Sequence, residues 1–195
     1  LLDLGTDNQN IPITSIDGFG TTDTLLHIEN IQGSSFGDTI TGDNNDNHLY
    51  GLEGKDSLSG GAGNDTIFGG SQADTLTGGG GADRFVYQAV GDSGVGATNR
   101  DAITDFGGSS GGFDVIDLSA IVQQFSSDHT TFNYLGTAAF SATGTTQARF
   151  DDTNHLFQID SRGVGTADME IQMTNCTHDQ LAASNNLTEH YITHI

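Results

Sequence analysis

An aliphatic residue returns at every ninth position, from Ile31 through Ile40, Leu49, Leu58 and Ile67 to Leu76. The six units it opens are IQGSSFGDT, ITGDNNDNH, LYGLEGKDS, LSGGAGNDT, IFGGSQADT and LTGGGGADR. A fixed period dictates a repeat architecture before any local propensity is weighed. Each unit also carries a carboxylate or amide in eighth place: Asp38, Asn47, Asp56, Asp65, Asp74 and Asp83. A flexible Gly/Asp-rich linker shares this composition but has no reason to keep an aliphatic residue in register.

The glycines of these units (Gly33, Gly42, Gly51, Gly60, Gly61, Gly63, Gly69, Gly70, Gly78, Gly79) allow tight turns. The residues around each aliphatic position suit a short strand, whose alternate side chains face opposite sides. Turn, strand, turn, strand then winds a coil from each pair of consecutive repeats. Aliphatic side chains fill its thin core and turns line its two edges. One edge is expected to stack turns 33–38, 51–56 and 69–74, and the other 42–47, 60–65 and 78–83. At a sheet spacing of about 4.8 Å, an Asp from one turn and carbonyls from the next converge. Several irregular oxygen ligands suit Ca²⁺ better than Mg²⁺, which demands near-ideal octahedral geometry. The stacking predicts roughly four to six ions, the last one or two at the ends.

Composition agrees with a cation-dependent fold. The chain has 26 acidic and 5 basic residues, a formal net charge of −21, and only four of the acids are Glu: Glu29, Glu53, Glu170 and Glu189. Such charge opposes compaction unless counter-ions neutralise it. It also makes nucleic acid and anionic membranes poor partners. No apolar run is long enough for membrane insertion. A single Cys176 precludes an internal disulfide and reads as a small buried apolar residue. No basic-plus-apolar signal segment opens the chain, and it starts mid-pattern, as expected of a segment cut from a longer protein.

On the N-terminal side, stepping back by nines from Ile31 gives Thr22, Ile13 and Leu4, without the glycines. Two readings stay open for residues 1–30: early coils without calcium, with Glu29 as the first ligand, or an irregular cap over the end of the solenoid. On the other side, FVYQAVGDS keeps Phe85 in register and Asp92 in eighth place. Beyond it, alternation predicts strands over 102–106 and 114–118. Ser119 is a candidate cap for a short helix to Phe125. Gln147–Phe150 and Leu156–Ile159 flank a turn at 151–154 and read as a hairpin. A further strand spans Asp168–Thr174, and Thr177–Gln180 fits a capping box opening a helix at Leu181–Ala183. The fold class is therefore all-β: a parallel β-roll capped by an antiparallel β region with short helices. Its expected parts are 1–30, the coil 31–93 and the cap 94–195.

The nonapeptides resemble RTX (hemolysin-type) calcium-binding repeats. GGAGNDTIFGG, GADRFVY, RDAITDF, FDVIDLSAI, LGTAAFSATGTTQARFD and FQIDSRGVGTADMEI together resemble the C-terminal domain of serralysin-type secreted metalloproteases. Similar domains occur on type I-secreted lipases, on adhesins and as modules of alginate epimerases. The resemblance implies a domain exported by type I ABC secretion machinery through a C-terminal signal, which folds on meeting extracellular calcium. It implies an upstream catalytic or adhesive domain in the same chain, and a secreted or cell-surface location. It also carries calcium binding over to Asp101 and Asp105 of RDAITDF, whose alternative role is to solvate a strand edge. Two stretches depart from the family. Ser161 and Arg162 replace oxygen ligands in the acidic loop 160–168, so no ion is expected there. The tail His190–Ile195 lacks the short acidic-hydrophobic ending, which counts against a working export signal.

Catalytic patterns are absent. His27-Ile28-Glu29 lacks the spacing of His-Glu-x-x-His, and the other histidines are scattered. No Gly-x-Ser-x-Gly occurs. The pairs Asp151–Asp152 and Asp114–Asp117 read as a turn and a strand edge rather than acid/base couples. Asn175-Cys-Thr177 and Asn186-Leu-Thr188 match the glycosylation pattern by chance. The expectation is a non-catalytic, calcium-dependent folding and secretion module. The alternative is a surface-binding module for polysaccharide, ice or a cell-surface lattice. Taken in chain order, the outward residues Thr41, Tyr50, Ser59, Phe68, Thr77 and Val86 vary in type and form no ladder, which favours the first class.

Overall fold

The computed structural model describes residues 22–24, 29–107, 113–125, 132–174, 176 and 192–193. Eight short strands build the coil: β1 (Thr22–Thr24), β2 (Asn30–Gln32), β3 (Thr39–Thr41), β4 (His48–Glu53), β5 (Ser57–Ala62), β6 (Thr66–Ser71), β7 (Thr75–Gly80) and β8 (Arg84–Val86). After them come β9 (Asp101–Ile103), β10 (Val115–Asp117), α1 (Ser119–Phe125), β11 (Phe132–Tyr134), β12 (Gln147–Asp151), β13 (Leu156–Asp160), β14 (Met169–Met173) and β15 (Ile192–Thr193).

Successive strands of the repeat go to opposite sheets. One sheet runs β10-β8-β6-β4-β2, and the other begins β1-β3-β5-β7-β9. Partners are parallel and lie two repeats apart in the chain: Ile31 faces Leu49, Leu49 faces Ile67, Ile40 faces Leu58 and Leu58 faces Leu76. Two repeats thus make one full coil, and every ninth side chain points between the sheets. Ile31, Ile40, Leu49, Leu58, Ile67, Leu76 and Phe85 are all buried. Each such side chain contributes about 1.5–3 kcal/mol of apolar burial. Ile103 and Ile116 continue the two stacks beyond the repeats.

The register slips at the N-terminal end. β1 pairs Asp23, not Thr22, with Ile40, so the spacing between these strands falls one position short of a full coil. A one-residue slip exchanges faces along a strand. The choice between early coils and an irregular cap falls otherwise outside the described residues.

The second half continues the sheet instead of abutting it. β9 pairs in parallel with both β7 and β14, and β14, β13 and β12 form an antiparallel meander. The large sheet therefore runs β1-β3-β5-β7-β9-β14-β13-β12-β11-β15. Its far end is parallel, since β11 runs alongside both β12 and β15 in the same direction. The hairpin around 151–154 forms as expected, closed by Asp151 accepting the Thr153 and Asn154 amides. Helix α1 has the expected bounds, but its cap is Asp117, whose carboxylate accepts the Ser119 amide at 2.9 Å. The helix expected at 181–183 lies outside the described residues. Among those residues, no helix is long and apolar enough to cross a membrane.

Candidate metal-binding edges

The turns of the coil need backbone shapes that few side chains tolerate. Positive φ recurs at Leu52 and Gly54, Gly61 and Gly63, Gly70 and Gln72, and Gly79 and Gly81, which are equivalent positions in successive turns. Stacking leaves no room either: a Cβ on Gly70 would strike the Leu52 carbonyl oxygen, and one on Gly79 the Gly61 carbonyl oxygen. Turns 33–38 and 42–47 have Ser34, Phe36, Asp43 and Asn45 at these places and do without the left-handed shape.

Each turn ends on an Asp or Asn that is tied to the turn one coil later. The Asp38 amide donates to Asp56 Oδ1 at 2.8 Å, and the Asp56 amide to Asp74 Oδ1 at 2.8 Å. On the opposite edge the Asn47 amide donates to Asp65 Oδ1 at 2.7 Å, and the Asp65 amide to Asp83 Oδ1 at 2.9 Å. The two ladders stack the turns of each edge in the expected order.

The second carboxylate oxygen is left over. Oδ2 of Asp56, Asp65, Asp74 and Asp83 is buried and has no hydrogen-bond partner, whereas the buried Asp101 carboxyl has the Tyr87 hydroxyl as a donor. An anionic oxygen removed from water without a donor is costly. The oxygens also face other oxygens: a Cβ on Gly51 would collide with both Asp56 Oδ2 and the Gly69 carbonyl. At Gly33 the same point lies 2.6 Å from Asp38 Oδ2 and 2.9 Å from the Gly51 carbonyl oxygen, but this Oδ2 accepts from Ser34 N and Oγ. At Gly42 it meets the Gly60 carbonyl and Asn47 Oδ1, which accepts the Asp43 amide. Gly60, Gly69 and Gly78 each leave space that their own Asp65, Asp74 or Asp83 occupies. Where no donor intervenes, as between Asp56 Oδ2 and the Gly69 carbonyl, converging acceptors repel one another unless a cation joins them.

The titration of these groups reflects that strain. Burial pushes Asp56, Asp65 and Asp83 up to about 6 and Asp74 up to about 7, against the pull of the amides they accept. Asp101, fully buried, is pushed up to about 8, again first by burial. Among the described residues, no three His, Cys, Asp or Glu side chains cluster. A cation here would be held by one or two carboxylates and by backbone carbonyls, the hard and irregular donor set that fits Ca²⁺.

Beyond the repeats the ladders do not follow the sequence spacing. Asp92, a full coil after Asp74 in sequence, is the expected next rung, but Asp101 takes its place, accepting the Asp74 amide at 2.9 Å. Asp92 instead closes a local turn, its carboxylate accepting the Gln88 and Ala89 amides. The chain detours over residues 87–99 because other partners hold it there. Ser93 Oγ donates to the Glu170 carbonyl, and Glu170 Oε2 accepts from Gly96 N and Arg100 Nη1, both at 3.0 Å. Asp105 lies off the ladder as well: its two oxygens accept the Gly78 and Gly79 amides at 2.9 and 2.8 Å. Both of its oxygens are thus hydrogen-bonded to the backbone of turn 78–83. Glu29 keeps the ladder position in its backbone, its carbonyl accepting the His48 amide at 2.5 Å.

On the second edge the last rung is Asp114, which spacing alone does not find. Its Oδ1 accepts the Asp83 amide at 3.0 Å and its Oδ2 the Gly107 amide at 2.8 Å. A local signal does mark it. Asp38, Asp56, Asp65, Asp74, Asp83, Asp101 and Asp114 all stand two residues before a buried apolar residue that enters the core. In the loop 160–168, protein donors take all four carboxylate oxygens. Asp160 accepts the Val164 and Gly165 amides, and Asp168 accepts Ser161 N, Ser161 Oγ and Arg162 Nε.

With this geometry established, the family model of the RTX calcium-binding nonapeptide repeat matches residues 27–58 and 50–85. Residues 27–85 are thus similar to RTX calcium-binding repeats. The described part of that stretch forms the β-roll of the chain. Among solved structures, the AlgE6R2 subunit of the Azotobacter vinelandii mannuronan C5-epimerase is 28% identical, with 75% of this chain and 89% of that one covered and a TM-score of 0.46. The AlgE6R3 subunit of the same enzyme is 25% identical, with 85% and 78% covered and a TM-score of 0.40. A search of curated proteins finds no match.

Proposed function

We propose that this chain is a calcium-gated folding module of an extracellular bacterial protein. It would leave the cell unfolded through type I ABC secretion machinery and wind its coil in external calcium. The buried, partnerless Oδ2 atoms carry this reading. Without a cation, each is a charge held out of water beside other acceptors. With one, the same atom becomes a ligand, and ion binding to the folded coil becomes folding free energy. Affinities of about 10⁻⁴–10⁻³ M, the range of extracellular modules, would keep the switch off in the cytosol and on outside. An upstream catalytic or adhesive domain in the same protein fits the reading, with 31–93 as the switch and 94–195 as the cap.

The ladders give a count. Oδ2 is orphaned at Asp56 and Asp74 on one edge and at Asp65 and Asp83 on the other, and Asp56 Oδ2 faces the Gly69 carbonyl of the following turn. At the ends, Asp101 has the Tyr87 hydroxyl as a donor and both oxygens of Asp114 accept amides. Four ions are therefore proposed, two on each edge. Equilibrium dialysis with ⁴⁵Ca²⁺ should give four bound ions, fewer in Asp74→Asn and an unchanged number in Asp114→Asn. Unchanged binding in Asp74→Asn together with a loss in Asp114→Asn would overturn the assignment.

A further inference from the structure

Winding sorts the outward side chains onto two different faces. The large sheet presents hydroxyls, with Thr39, Ser57 and Thr75 in one row and Thr41, Ser59 and Thr77 in the next. The smaller sheet presents Gln32, Tyr50 and Phe68 in one row, followed by Val86 on β8. A parallel row holds Asn30, His48, Thr66, Arg84 and Val115. In chain order these two faces interleave, which hides both ladders.

Tyr50 is 37% exposed, and Phe68 and Val86 are half-buried. The two rings meet edge to face, with centroids 6.4 Å apart. They stand on adjacent strands of a regular sheet, so their positions are fixed by the backbone. Gln32, His48 and Thr66 flank them with groups that donate and accept hydrogen bonds. Apart from His48, the charged side chains of these rows are Arg84 and Asp117, which pair with each other.

We propose that this face binds a neutral polysaccharide. The proposal extends calcium-gated folding, because the face exists only once the coil is wound. Pyranose rings offer flat C–H faces that pack on aromatic rings, and a rim of hydroxyls for flanking polar groups. Charge selects the neutral class. An anionic polymer meets a chain whose formal charge of −21 stays negative after four Ca²⁺ bind, and on this face the one Arg is already paired. A cationic polymer would be drawn to the Asp-lined edges instead.

The test is a pull-down of the full chain, in calcium, on insoluble cellulose, chitin and starch, with immobilised hyaluronan as the anionic counterpart. At least one neutral glycan should retain the chain. Tyr50→Ala and Phe68→Ala should each weaken retention about five- to tenfold, as expected for the loss of one aromatic contact. Ser57→Ala and Thr75→Ala, on the opposite face, should leave it unchanged. Circular dichroism of the same samples separates the two readings. A chain that stays unfolded in calcium contradicts the folding mechanism. A folded chain that no neutral glycan retains, or retention indifferent to Tyr50 and Phe68, overturns the glycan site. So does calcium-dependent dimerisation abolished by the same two substitutions, which would make a second copy the occupant.

Discussion

Stripped of calcium, the coil should respond to acid in the direction opposite to most proteins. In the metal-free fold Asp56, Asp65 and Asp83 titrate at about 6, Asp74 at about 7 and Asp101 at about 8, against an ordinary 3.8. A carboxylate whose folded pKa is raised binds its proton more tightly in the folded state. Its stabilising effect is complete below the unfolded pKa and is lost as pH rises through the folded one. For these groups the loss begins near pH 4 and is complete by about pH 8. Asp56 alone, raised from 3.8 to about 6, contributes about 3 kcal/mol across that window, part of which water along the coil edge screens. Several such groups together exceed the stability of many domains. The perturbation is therefore a shift from pH 8 to pH 5 in EDTA, still above the isoelectric point of 4.1. Far-UV circular dichroism should report a gain of β signal on acidification. In saturating calcium the sign reverses, because protons compete for the same oxygens and the β signal falls as pH drops. Asp74→Asn should blunt both responses, since an amide neither carries the buried charge nor titrates. A metal-free chain that keeps or loses β structure on going from pH 8 to pH 5 would refute the reasoning.

Three further outcomes follow from the turns and the cap. Gly70→Ala drives a methyl into the Leu52 carbonyl at positive φ, and should lower the stability of the calcium-loaded coil by at least about 1–3 kcal/mol in urea titrations. Gln72→Gly restores the residue used at the equivalent Gly54, Gly63 and Gly81, and should stabilise the loaded coil by about 1 kcal/mol in the same assay, through relief of a left-handed non-glycine. Glu170→Gln leaves Arg100 without its carboxylate, so limited proteolysis should find new cleavage within 87–99 while the repeats stay protected.

Periodicity exposed much of this design, and its limits are physical. Sequence spacing works where every residue of the coil is part of the repeat, so Ile31 to Leu76 and their Asp partners could be placed from the chain alone. It fails where the chain leaves the coil and returns. Asp92 occupies the right number but the wrong place, because the detour held by Ser93, Arg100 and Glu170 hands its rung to Asp101. Asp114 returns after a longer excursion and is visible only through its position two residues before Ile116. Asp105 keeps an acidic residue near the edge, but its oxygens are spent on the Gly78 and Gly79 amides. The two outer faces were hidden for a simpler reason: consecutive units alternate between sheets, and chain order interleaves them.

A single titration tests the central claim most directly. The EDTA-stripped chain at pH 7.5 is followed by far-UV circular dichroism while Ca²⁺, and in a parallel sample Mg²⁺, is added. Calcium-gated folding requires a cooperative gain of β signal with Ca²⁺ at about millimolar concentration or below, which Mg²⁺ does not reproduce. Full β structure in EDTA, unchanged by Ca²⁺, would contradict it.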